Sequence, residues 1–262
     1  MFRICLVLLM LAAPVAAAER TLTITDFDGV RVEGPFIVAV TTARGTSGRI
    51  TGDTRALDHV RVDVEGGTAV IRATEDANDA RPARVTLVTR TLARAALAGP
   101  GTLTIDRMTG PETRVTLDGS GRISVGAVAS DQLTAIAAGT GTLTLAGTAR
   151  NGTLETRGSG TLDATRLTIA DAKITLDGSG TLTASASRDA AVSAKGTGSA
   201  TVYGRMACTV KREGSASVLC GKAAGTPVAL AAAIPAPGRE ALPQVRVGVP
   251  PGLRQMRRTG RP

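Results

Sequence analysis

A Gly-x-Gly triplet returns along this chain at near-constant spacing, and that spacing limits the folds open to it more than any other feature. The copies are Gly99-Pro100-Gly101, Gly119-Ser120-Gly121, Gly139-Thr140-Gly141, Gly158-Ser159-Gly160, Gly178-Ser179-Gly180 and Gly196-Thr197-Gly198, with a degraded copy at Gly214-Ser215-Ala216. The first glycines thus stand at positions 99, 119, 139, 158, 178, 196 and 214. A period close to twenty, held over seven copies, marks an internal repeat, and a repeat decides the fold before any single motif does.

The residues after each triplet also repeat. "TLTI" (102–105), "RISV" (122–125), "TLTL" (142–145), "TLDA" (161–164), "TLTA" (181–184) and "SATV" (199–202) alternate polar and apolar residues. Period two means a strand with one buried face. Leu103, Ile123, Leu143, Leu162, Leu182 and Ala200 share one inward register, and Ile105, Val125, Leu145, Ala164, Ala184 and Val202 share the next. A second short strand precedes the corners, as in "RVTL" (114–117), "KITL" (173–176) and "AVSA" (191–194). Its inward positions are Val115, Leu154, Ile174, Val192 and Val210.

Hairpins would return each strand antiparallel through a two-residue turn. Here equivalent positions match in the same direction, turn after turn. The pattern therefore predicts a parallel coil, each turn stacked on the last about 4.8 Å further along. No coil can bury its apolar face alone, but stacked coils build a continuous narrow core. Composition agrees: 43% of the 262 residues are apolar but only 2% are aromatic, so Leu, Val, Ile and Ala must fill the interior. The glycines permit positive φ and close approach of one coil to the next. Ser or Thr between them predicts a hydroxyl column, and the outward Thr104, Ser124, Thr144, Asp163, Thr183 and Thr201 predict another.

The same triplets exclude phosphate-cradling loops. A dinucleotide fingerprint needs a third glycine and a following helix, and a P-loop needs Gly-Lys-Ser or Gly-Lys-Thr. Neither is present.

Residues 19–95 follow another pattern. "TLTI" (21–24), "VRV" (30–32), "FIVAV" (36–40), "RVDV" (61–64), "AVIRA" (69–73) and "RVTLV" (84–88) read as strands. Glu65-Gly66-Gly67-Thr68 reads as a hairpin turn, and Glu75 to Arg84 as a polar loop. This portion is expected to cap one end of the coil as a β-rich N-terminal unit.

The two ends differ from the body. Arg3, the apolar run from Ile4 to Ala13 and Ala16-Ala17-Ala18 have the form of a signal peptide (1–18) cleaved before Glu19. The expected location is periplasmic or secreted, with no transmembrane segment in the mature chain. Residues 223–262 are rich in Pro, Ala and Arg and are expected to form a disordered basic tail. Arg3, with the six Arg and one Glu of that tail, accounts for +6 of the formal +9, leaving +3 on residues 19–222. So mild a charge, with almost no aromatics to stack bases, argues against a nucleic-acid surface.

At this point the pattern resembles a known group. "FDGVRVEGPFIVAV" followed by "LDGSGRISV", "AAGTGTLTL", "RGSGTLDA" and "LDGSGTLTA" is similar to the bacterial head GIN domain family, an autotransporter adhesin head, over roughly residues 24–221. The resemblance implies an all-β, right-handed, single-stranded parallel β-helix over 19–222, with repeat coils from about 99, exported to the cell envelope. It implies no established reaction and no catalytic residues.

Candidate chemistry is sparse. His59 is the only histidine, and Asp53 and Asp58 lie near it in sequence; without a positioned partner they read as loop polarity. Asp118 and Asp177 are the best acidic pair and the basis of the alternative, a polysaccharide lyase or hydrolase on one β-helix face. They fall three coils apart, about 14 Å along the axis, too far for a glycosidase pair. Their column continues through Ala138, Arg157 and Lys195, which predicts surface charge pairing. Cys208 and Cys220 are candidates for a disulfide, because export permits one and register brings them together. No cofactor or metal site is expected. The expected role is non-catalytic, presenting polar ladders to an envelope glycan, surface or protein.

Overall fold

The computed structural model describes residues 18–74 and 83–222. The expected signal peptide apart from Ala18, most of the polar loop (75–82) and the basic tail (223–262) lie outside the described residues. The body is an all-β parallel β-helix.

Five long strands make its middle: β9 (Thr102–Gly119), β10 (Arg122–Gly139), β11 (Thr142–Gly158), β12 (Thr161–Gly178) and β13 (Thr181–Gly196). Each pairs parallel with the next, in the register of the repeat. Leu103, Ile123, Leu143, Leu162, Leu182 and Ala200 form one ladder, extended by Val38 at one end and Val218 at the other. The sequence suggested two short strands per coil; instead one strand runs round the bends. Residues there still pair with the neighbouring coil, as in Ser130↔Gly110 and Gln132↔Glu112, so the ladder continues round the bends, with register shifts at Val125/Val128, Thr144/Ala146 and Ala164/Thr168.

It breaks at the Gly-x-Gly corner, where a different bonding pattern takes over. The Gly119 carbonyl accepts from both Thr140 N and Gly141 N at 3.0 Å. Gly139, Gly158 and Gly178 repeat this with the next coil. The first glycine of each triplet has positive φ, for example +116° at Gly119 and +102° at Gly139. The second meets a different constraint. A Cβ on Gly141 would lie 2.4 Å from the Gly121 carbonyl oxygen. The carbonyl beneath the corners from Gly101 to Gly198 thus leaves no room for a Cβ, whereas the last, degraded corner accommodates Ala216.

The core is one continuous cluster, almost all Leu, Ile, Val and Ala, with Phe27, Phe36 and Met108. Leucines are interspersed with smaller residues along the ladder Leu117, Ala137, Thr156, Leu176, Ala194. Thr156 is fully buried there, and its Oγ1 has no partner among the described residues.

The N-terminal portion caps the stack by interleaving with it. It comprises β1 (Ala18–Leu22), β2 (Gly29–Glu33), β3 (Ile37–Thr42), β4 (Ser47–Gly52), α1 (Thr54–Asp58), β5 (Val60–Glu65), β6 (Thr68–Ala73), β7 (Arg84–Thr89) and β8 (Arg94–Ala98). On one face the order is β1, β4, β7, β3, β9, with β4 antiparallel to both β1 and β7. On another it is β5, β6, β2, β8, β9, with β5 antiparallel to β6. Gly66 and Gly67 both have positive φ in the expected β5–β6 hairpin turn, which fits a type I′ turn. Gly34 and Phe36 form a further corner: their carbonyls lie 2.6 and 2.9 Å from where a Gly101 Cβ would stand.

Several local expectations need correcting. The strand expected at 21–24 is displaced to β1, β4 and β8 were not anticipated, and α1 occupies the segment read as loop beside His59. The strand read at 84–88 is present as β7, so Arg84 belongs to it and not to the preceding loop. Val210 holds an inward register position but is 41% exposed, because β15 (Ala207–Gly214) pairs only with β13.

Gly141→Ala should lower stability by about 3 kcal/mol, read as a shift of the urea midpoint. Ser120→Ala, at an exposed site between corner glycines, should change it by less than about 0.5 kcal/mol.

Candidate functional site

Three shallow concavities follow one another along the stacking direction, beside the face that carries β8, and together outline a trough. It begins in a concavity of about 530 Å³ lined by Asp28, Arg94, Glu112, Arg114, Gln132 and Thr134, among others. A second, of about 360 Å³, is lined by Asn151, Thr153, Asp171, Lys173, Asp189 and Ala191. Gln132 pairs in register with Asn151 and Thr134 with Thr153, so the two follow each other on adjacent coils. A third, of about 280 Å³, shares Lys173 and Ala191 with the second and reaches Thr209 and Lys211.

Two columns make the walls. One runs Arg94, Arg114, Thr134, Thr153, Lys173, Ala191, Thr209; the other runs Glu112, Gln132, Asn151, Asp171, Asp189. The first spans six coil steps, about 29 Å. Some charges are spent internally: Arg94 pairs with Asp28 at 2.5 Å, and Arg188 Nε with Asp171 at 2.7 Å. Glu112, Arg114 and Lys173 have no ion pair among the described residues. The trough therefore presents both signs of charge and several amides and hydroxyls, without aromatic rings.

The sequence candidates fall elsewhere. Asp118 and Asp177 stand in the column Asp118, Ala138, Arg157, Asp177, Lys195, Glu213, three coils apart, and line none of these concavities. Charge pairing along that column is confined to Lys195 and Glu213 at 4.0 Å, because Arg157 turns to Glu155 in its own strand. His59 Nδ1 lies 3.3 Å from Thr74 Oγ1, at the open end of the β5–β6 hairpin. The Asp53 carbonyl accepts from Leu57 N in α1. No cluster of three or more metal-ligating His, Cys, Asp or Glu side chains occurs among the described residues. Cys208 and Cys220 are joined in a disulfide, linking β15 to β16 (Ser217–Lys222) across the last corner. Cys220 stacks on Val202, the register read from the sequence.

The outward Thr/Ser column behaves otherwise than expected. Among the described residues, one hydrogen bond joins its neighbours, from Thr183 Oγ1 to Asp163 at 3.2 Å. Asp163 also accepts from Thr165 N at 3.0 Å and Thr165 Oγ1 at 2.6 Å. Partial burial pushes its carboxyl up. The hydrogen bonds from Thr165 and Thr183, with the charge of Arg166, outweigh that and hold it below the usual carboxylate value.

No protein of curated function matches this sequence. A family model described as "Putative auto-transporter adhesin, head GIN domain" matches residues 26–205. Among solved structures, a putative adhesin from Bacteroides fragilis is similar with a TM-score of 0.74 at 18% identity, over 79% of this chain and 97% of its own. A putative lipid binding protein from Parabacteroides distasonis follows with a TM-score of 0.63 at 19% identity, over 80% and 98%. A putative adhesin from Parabacteroides merdae has a TM-score of 0.62 at 18% identity, over 80% and 98%. At such identities these likenesses establish the fold.

A carboxyl held below its ordinary value stabilises the fold above the unfolded-state pKa, and that stabilisation is lost as pH falls through the folded value. Asp163→Asn should therefore be less stable than the parent at pH 7, with the gap narrowing as pH falls through the ordinary carboxylate range toward the lowered folded value in denaturation curves run across pH.

Proposed function

The chain belongs to the head GIN domain family of adhesin-type β-helices, and from that premise we propose that it is a non-catalytic binding module of the bacterial envelope that holds a surface glycan along the trough. The observation that carries this reading is the trough itself. Its columns repeat a polar or charged group at nearly every coil, so a linear polymer can meet equivalent donors and acceptors at regular intervals. Amides such as Gln132 and Asn151 both donate and accept, which suits hydroxyl-rich ligands. Export to the periplasm or beyond, directed by the 1–18 leader, belongs to the same proposal.

Asp118 and Asp177 supply no reactive pair, since a water or a glycosidic oxygen held by one is beyond reach of the other. The proposed role is accordingly retention rather than cleavage.

Labelled protein should bind at least one envelope glycan on an array and the surface of bacterial cells. A Gln132→Ala/Asn151→Ala/Lys173→Ala variant should bind about tenfold more weakly. Absence of binding to every envelope component, together with release of new sugar ends, would overturn the reading.

A further inference from the structure

A separate concavity near the N-terminal end gathers three arginines from three stretches of chain. It measures about 460 Å³ and is lined by Thr42, Ala43, Arg44, Gly45, Arg90, Arg107 and Thr109. Arg44 comes from the β3–β4 connection, Arg90 from the β7–β8 connection, and Arg107 from the first bend of β9. All three are exposed at the rim.

Their acidic neighbours are largely committed elsewhere. Asp106 precedes Arg107, but its carboxylate accepts from Thr42 N at 3.0 Å, from Thr42 Oγ1 and from the Arg107 amide. It thereby clamps β3 to β9 and forms no ion pair with the Arg107 guanidinium. Asp26 meets Arg90 only at 3.5 Å and also accepts from Thr46 Oγ1. Arg44 and Arg107 have no ion pair among the described residues. Guanidinium groups gathered round a concavity raise its positive potential and favour an anion there.

We propose that this concavity binds a phosphate group, held by Arg44, Arg90 and Arg107 with the hydroxyl of Thr109. A carboxylate offers two oxygens and one charge. A phosphate monoester offers three terminal oxygens and nearly two charges, which matches three forked donors better. The site uses no residue of the trough, so it stands whether or not the trough holds a glycan.

The test uses the full chain, titrated with inorganic phosphate at constant ionic strength and followed by amide chemical shifts. In parallel, the protein is sedimented with phosphatidylcholine vesicles with or without phosphatidic acid. Saturable binding is expected, weakened about tenfold or more by Arg44→Gln or Arg107→Gln and unchanged by Arg122→Gln, an exposed arginine outside the concavity. Phosphate should also raise the thermal midpoint of the parent and not of the Arg44→Gln/Arg107→Gln variant. Binding of free phosphate without lipid-dependent sedimentation assigns the site to soluble phosphorylated ligands; sedimentation that requires phosphatidic acid assigns it to a lipid headgroup. No saturable binding of either probe by the parent, or equal binding by the double variant, overturns the proposal.

Discussion

Everything regular in this molecule depends on one contact: the corner-glycine carbonyl that accepts two amide hydrogens from the coil stacked on it. Gly119, Gly139, Gly158 and Gly178 each make it. The bond brings successive backbones so close that a methyl group cannot fit between them. The corner fixes the register of the next strand, and register decides which side chains enter the core. A slip by one residue would turn every Leu, Ile and Val outward. Gly-x-Gly is therefore a steric requirement of the stacked corners, relaxed to Ala216 only at the last one, and unrelated to phosphate binding.

A stack of this kind has two ends, and the chain treats them differently. At the start, β4 runs antiparallel to β7 and β5 to β6, which ends the parallel pattern of the coils. At the other end, the disulfide between Cys208 and Cys220 ties together strands that have no further coil beyond them among the described residues. Val210, stacked on the inward Val192, is 41% exposed there, so an inward register position loses its cover where stacking stops. A covalent tie that restricts the unfolded chain matters most where burial contributes least.

Much of this was legible in the sequence. Seven spaced triplets and in-phase alternation specified the coil, its register and the meeting of Cys208 with Cys220. The N-terminal arrangement was less legible, because β2 and β3 enter the stack between strands that come later in the chain. One clue was available: Gly34-Pro35 repeats the opening of Gly99-Pro100-Gly101 and sits at an equivalent corner. The trough was not legible as a site. Its residues are ordinary polar groups, and only register shows that Gln132, Asn151 and Asp171 stand in line. Arg44, Arg90 and Arg107 around the separate concavity lie far apart in sequence, and no local motif joins them.

The central claim is that successive coils advance by a constant step with equivalent residues aligned. Spin labels at Thr104 and Thr183, four coil steps apart, and at Thr104 and Thr201, five steps apart, measure that advance by dipolar spectroscopy. The account predicts backbone separations of about 19 and 24 Å, one coil step apart. Separations that fail to grow from the first pair to the second would contradict it.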